Sequence, residues 1–267
     1  MCSLLYVSDA GSTPPPPPPP NLTPPPGYAA YEPTLAGAVS LRRIQGLRTA
    51  IVILLGFYII GGLVAVFATP VAADAAQKYL DSARTSTDED DFLASVAVTG
   101  IAGFITVAAT IAILVLSMIW LYRIVGNHRA IGRQTTWSTG WAIGGWFVPP
   151  LVVYAVPMLV LRESWKASDA AVPPGDDRWR QIPVNPIVYV WWVLYGLAPI
   201  VFIVAGVTFE TSGFNQDPDE LAESFVDSQG FTMAQGIVGV LSAIAWALLV
   251  RGLTTRHVAL TGETRTR

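Results

Sequence analysis

Four stretches of the chain are apolar through their central parts and carry no Asp, Glu, Lys, Arg or His there: Thr49–Ala68, Phe92–Tyr122, Pro186–Phe209 and Phe231–Val250. About 20 helical residues cross the roughly 30 Å of hydrocarbon in a bilayer. A lone strand would leave its backbone groups unpaired in lipid, so each run predicts a transmembrane helix. The second run, 31 residues long, exceeds what a bilayer needs and predicts a tilted or projecting helix. Small residues recur at helical spacing in two of the runs, as Gly239, Ala243 and Ala247 and as Gly61 and Ala65. Such stripes let backbones approach closely and predict helix packing within the chain, with homodimerisation as the alternative.

A fifth apolar stretch, Trp137–Trp165, reads WSTGWAIGGWFVPPLVVYAVPMLVLRESW and is interrupted by Pro149-Pro150. Hydropathy alone does not decide whether it crosses. Charge does. If the chain crosses four times, 14 of its 16 Lys and Arg residues fall on one side. The positive-inside rule makes that side cytoplasmic and puts both termini there. Both flanks of Trp137–Trp165 are basic. A single crossing would place Arg251, Arg256, Arg265 and Arg267 outside. Its apolar part, about 24 residues or roughly 36 Å of helix, is too short for two crossings. Zero net crossings remains, as a hairpin that dips in and returns or as helices in the interface. The double proline supplies the break by removing donors, and Ser138 is a candidate N-cap. All nine tryptophans then lie on the inner side, as headgroup-level anchors. Trp137, Trp141, Trp146, Pro149, Glu163 and Trp165 are the candidate binding residues of an inner-face groove for a lipid or peptide.

Composition agrees with this class. Only 13% of residues are charged, where soluble domains carry about 25%, and mean hydropathy is +0.48. One cysteine, Cys2, excludes an intramolecular disulfide. Twelve of the 19 acids fall in the two outer connections, among them Asp88–Asp91 and the group from Asp217 to Asp227. Asp217, Asp219, Glu220 and Glu223 lack the glycine and spacing of a calcium loop. His128 and His257 are far apart in sequence, which argues against a metal site and makes His128 an interfacial polar residue. Glu163, with Arg162 beside it and Lys166 at i+3, predicts a helical ion pair. No paired catalytic groups occur, so no enzyme and no cofactor are expected, and nothing in the pattern suits nucleic acid.

Residues 1–40 hold a seven-proline run, Pro14–Pro20, followed by Pro24–Pro26. Such a run forms a stiff polyproline II rod. It predicts a disordered cytoplasmic leader, and a ligand for an aromatic groove on a cytoplasmic protein partner is its functional reading.

The order WLYRIVGNHRAIG (Trp120–Gly132), WSTGWAIGGWFVPP, RESWKAS (Arg162–Ser168) and a WW pair opening the next span resembles an uncharacterised family of four-span membrane proteins from high-GC Gram-positive bacteria, domain of unknown function 4328. The resemblance covers about residues 47–251 and rests mainly on Trp137, Trp141, Gly144, Trp146, Pro149, Glu163 and Trp165. It implies the topology and a proline-rich leader, and no activity. Where the family pattern carries polar residues before its Arg-Glu pair, this chain reads LVVYAVPMLVL.

The expected architecture is an all-α, integral membrane four-helix bundle: leader 1–40, membrane domain 41–258 with a broken non-crossing helix at about 138–166, and cytoplasmic tail 259–267. Plasma-membrane interaction or scaffolding is the expected role. A channel or carrier for an uncharged or lipid-like solute is the alternative.

Overall fold

The computed structural model describes residues 40–82, 85–148, 155–206 and 217–263, and every regular element in them is helical. The proline-rich leader and Pro149-Pro150 lie outside the described residues. In chain order the elements are α1 (Gln45–Asp81), α2 (Ser86–Ala130), α3 (Thr139–Gly144), α4 (Ala155–Ala167), a 3₁₀ turn (Asp177–Gln181), α5 (Ile187–Trp192), α6 (Ala198–Gly206) and α7 (Pro218–Thr261). A π turn, Val193–Leu197, joins α5 to α6.

Three helices, α1, α2 and α7, are long and apolar enough to cross a membrane. The apolar helix Ile187–Phe202 is shorter than these. At 1.5 Å per residue, the 45 residues of α2 and the 44 of α7 far exceed the thickness of a hydrocarbon layer. Both project beyond the apolar runs that nucleate them. The acids read as loop residues are the cause at one end. Thr85 caps α2, its hydroxyl accepting from the Asp88 amide at 3.3 Å and donating to the Asp88 carboxylate at 2.6 Å. Asp217 caps α7 through the Glu220 amide at 2.9 Å, with Pro218 opening the helix. Carboxylates in a first turn also complement the helix dipole. Asp88–Asp91 and Asp219–Asp227 are therefore helical, not loop. A small core closes this end: Phe92 stacks on Tyr79 at 5.9 Å and meets Phe225 edge-on at 6.0 Å, and the Tyr79 hydroxyl donates to Asp219.

α1 packs along both α2 and α7, and glycines set how closely. A methyl group at Gly61 would sit 3.0 Å from the Thr106 side chain on α2. At Gly236 it would sit 2.5 Å from Val66, and at Gly239 2.9 Å from the Tyr58 hydroxyl, both on α1. The small-residue stripes are thus used inside the chain. Val66 is buried and stiff at χ1, so it cannot yield cheaply. Gly236→Leu is expected to destabilise the bundle by about 2–3 kcal/mol, read as a lowered unfolding midpoint in detergent.

Candidate functional site

The end of α2 builds a buried, densely hydrogen-bonded part of the molecule. Gly132 takes φ +83°; its amide bonds to the Arg129 carbonyl, and the Arg133 amide to the His128 carbonyl. This is a Schellman stop, in which glycine adopts the left-handed conformation without strain. It turns the chain back and sets Arg133, 1% exposed, under the segment after α4. The Arg133 guanidinium donates to the carbonyls of Ala167, Asp169 and Val172. Next to it, Arg256 of α7 donates to Asp169 at 2.7 Å and lies over the Trp165 ring.

One turn earlier, Asn127 and His128 meet Ser168 and His257. Asn127 is oriented by backbone: its side-chain oxygen accepts from the Arg42 amide at 2.8 Å, and its nitrogen donates to the Arg42 carbonyl at 2.9 Å. The second proton of that nitrogen points at His257 Nε2, 3.0 Å away. His257 Nε2 is therefore an acceptor, its proton sits on Nδ1, and Nδ1 donates to Ser168 Oγ at 3.3 Å. Ser168 in turn donates to His128 Nε2 at 3.0 Å. Both imidazoles are neutral in this arrangement. Their environment agrees: burial holds His257 down at about 4, helped by the Arg133 charge. Burial holds His128 well below its ordinary value, helped by His257 and Arg133. Both lie on the parts of α2 and α7 that project beyond the apolar runs Phe92–Tyr122 and Phe231–Val250. The rings stand 5.0 Å apart, which corrects the expectation of two unrelated histidines and of an interfacial His128. A serine between two imidazoles has the makings of a nucleophile. Here all three side chains are fully buried. Among the described residues no group of three or more His, Cys, Asp or Glu side chains is placed to hold a metal.

Of the residues assigned to an inner-face groove, Trp137, Trp141 and Glu163 come together. Trp137 meets Trp141 edge-on at 5.6 Å. The Glu163 carboxylate accepts from the amides of Thr136 and Trp137 at 2.7 and 3.0 Å. These amides take the carboxylate in place of the expected Lys166, whose ammonium donates to the Arg180 carbonyl. Trp165 packs elsewhere, against Gly252 of α7. Pro149 lies outside the described residues.

Trp146 belongs to a different site. It packs against Trp191, Tyr195 and Trp246 at 6.2–6.4 Å, and Trp191 lies 4.7 Å from Trp246. With Tyr58, Ser117 and Gly239 these rings line an apolar cavity of about 100 Å³ inside the bundle. The Trp246 indole donates to Ser117, and that of Trp120 to Thr254. Trp120, Trp165, Trp179, Trp191 and Trp246 are all buried, so the reading of every tryptophan as a headgroup anchor fails for these five. Side-chain acceptors for the Trp120 and Trp246 N–H groups, and neighbouring rings, make that burial affordable. Trp141, 43% exposed, and Phe147, 70% exposed, are the aromatic residues left outward near α3.

No curated protein and no solved structure matches the chain. A family model described as a domain of unknown function, DUF4328, matches residues 83–255, a range that includes Asn127, His128 and Ser168 of the polar cluster and Trp146, Trp191 and Trp246 of the cavity, and the chain belongs to that family.

Proposed function

We propose that this chain crosses the cell membrane four times with both termini in the cytoplasm, and serves as a membrane interaction or scaffold protein with no chemistry of its own. Helix continues from Ile187 to Gly206, about 30 Å at 1.5 Å per residue, which suits a fourth crossing beside α1, α2 and α7. α3 has six residues and α4 thirteen. The six residues of α3 are too few to cross, which supports a connection that returns to the side it left.

The observation that carries the reading is how that connection is held. Arg133 and Glu163 bind its backbone directly, and Ser168, which lies in it, is hydrogen-bonded to His128 of α2 and His257 of α7. Buried polar networks of this kind rigidify and specify one arrangement. A fixed surface on the basic side suits recognition of a partner, with the proline-rich leader as the second contact. The alternative, a channel or carrier for an uncharged or lipid-like solute, draws on the apolar cavity around Trp146.

Two experiments test this. In a Cys2→Ser background, Glu220→Cys is expected to react with an impermeant maleimide on intact cells and Pro150→Cys to stay unreacted; free labelling at 150 would sink the non-crossing connection. For function, deleting residues 1–40 should abolish isolation of a cross-linked partner while the protein still inserts, and liposomes carrying it should retain a neutral solute. Solute release that Trp146→Ala alters would replace the scaffold with the carrier.

A further inference from the structure

We propose that the pocket at the N-terminus of α1 binds the phosphate headgroup of an anionic phospholipid. This cavity, about 590 Å³, is lined by four arginines, Arg43, Arg48, Arg123 and Arg251, and by one acid, Glu263. Three of the arginines come from three different helices. Each is the first cation beyond its helix's apolar run: Arg48 before residues 49–68, Arg123 after 92–122, and Arg251 after 231–250. They therefore converge at the depth where hydrocarbon ends and headgroups begin.

Glu263 does not cancel them. Its carboxylate accepts from the amides of Ile44 and Gln45 at 3.1–3.2 Å, so its charge is taken up by the positive end of α1. Arg123 donates one N–H to the Arg43 carbonyl at 2.8 Å, which fixes its guanidinium and leaves further donors for a ligand. The planar fork of arginine matches phosphate oxygens in pairs.

The cavity's apolar lining decides the kind of phosphate. Val52 and Ile53 belong to it. From Ile53 an apolar stripe runs down α1 through Phe57, Ile60 and Phe67, which are 55, 56, 62 and 72% exposed in that order. A cation cluster set above an exposed apolar stripe receives a headgroup and the acyl chains attached to it. A soluble phosphate would use only the upper half. Basic pockets between membrane helices at this depth bind anionic headgroups, each Lys or Arg adding about a fivefold preference.

The test is thermal unfolding of the full chain in neutral detergent, titrated with dioleoylphosphatidylglycerol. The expected result is a saturable rise in midpoint that neither dioleoylphosphatidylcholine nor inorganic phosphate reproduces at the same concentration. In Arg48→Gln/Arg251→Gln the half-saturating concentration should rise about 25-fold, while Arg129→Gln, an exposed cation outside the pocket, should leave it unchanged. If the double variant does not fold, Arg251→Gln alone, at an exposed position, should raise it about fivefold. An equal rise with phosphatidylcholine would mean no headgroup is read. An equal rise with inorganic phosphate would make the site a soluble-anion site. An unchanged half-saturation in the arginine variants would remove the pocket from the account. None of these readouts depends on which side of the membrane is cytoplasmic.

Discussion

Replacing Arg133 with methionine is expected to cost about 4 kcal/mol and to release the segment between α4 and α5. The side chain is buried and donates to three backbone carbonyls, those of Ala167, Asp169 and Val172. Methionine fills most of the volume but leaves three carbonyls without their donor. Each such loss costs about 1–3 kcal/mol, partly offset by removing a buried charge. The effect should be local first. Ala167, Val172 and Trp179 form their own small core around these carbonyls, whereas α1, α2 and α7 are held by apolar packing and by glycine contacts elsewhere. Helix content by circular dichroism should therefore change little, while trypsin cleavage at Arg178 and Arg180 accelerates. Arg133→Lys keeps the charge but cannot bridge three carbonyls, and should fall between the two. Wild-type cleavage rates in the methionine variant would show that the three hydrogen bonds do not hold the segment.

Acidification from pH 7.5 to 5 is expected to destabilise the protein through the buried histidines. Both have values in the folded state below the ordinary 6.5, so below about pH 6.5 the unfolded chain binds more protons than the folded one, and stability falls as pH falls. His257, held at about 4, accounts for about 2 kcal/mol of loss at pH 5, and His128 acts in the same direction. The hydrogen-bond chain explains why His257 does not accept the proton in place. A proton on His257 Nε2 would face the Asn127 amide nitrogen, which is pinned in that orientation by the Arg42 backbone. Unfolding midpoints measured from pH 7.5 to 5 should decline, and His257→Gln should flatten the decline. A flat wild-type profile would mean that the pair is protonated at no cost, contrary to the tautomers assigned here.

Sequence reading reached the long helices because an apolar run of 20 residues reports its own environment. It also reached the use of Gly61 and Gly239 in close packing, because small-residue spacing is local. It stopped the helices too early: Thr85 with Asp88, and Asp217 with Pro218 and Glu220, were legible capping pairs whose acids were counted as loop charge. It missed the Asn127–His128–Ser168–His257 cluster for a different reason. His128 and His257 lie 129 positions apart in the sequence, and only the packed ends of α2 and α7 bring them together. A clue was present in the run Gly126-Asn127-His128-Arg129, ending at Gly132-Arg133: polar residues just past an apolar helix, followed by a glycine stop. The tryptophans misled in the opposite direction. An indole near a membrane boundary looks like an anchor until its N–H acceptor is known, and Thr254 and Ser117 are far from Trp120 and Trp246 in sequence.

Glu263 caps α1 across 219 positions, from just beyond the left-handed Gly262 that ends α7. Residue 44 leaves the ribosome long before residue 263 exists. Throughout synthesis the first helix therefore waits with its leading amides turned to water, and only arrival of the far end of the chain closes them. A residue just past α7 thus completes the start of α1, so this joint can form only once both helices are in place.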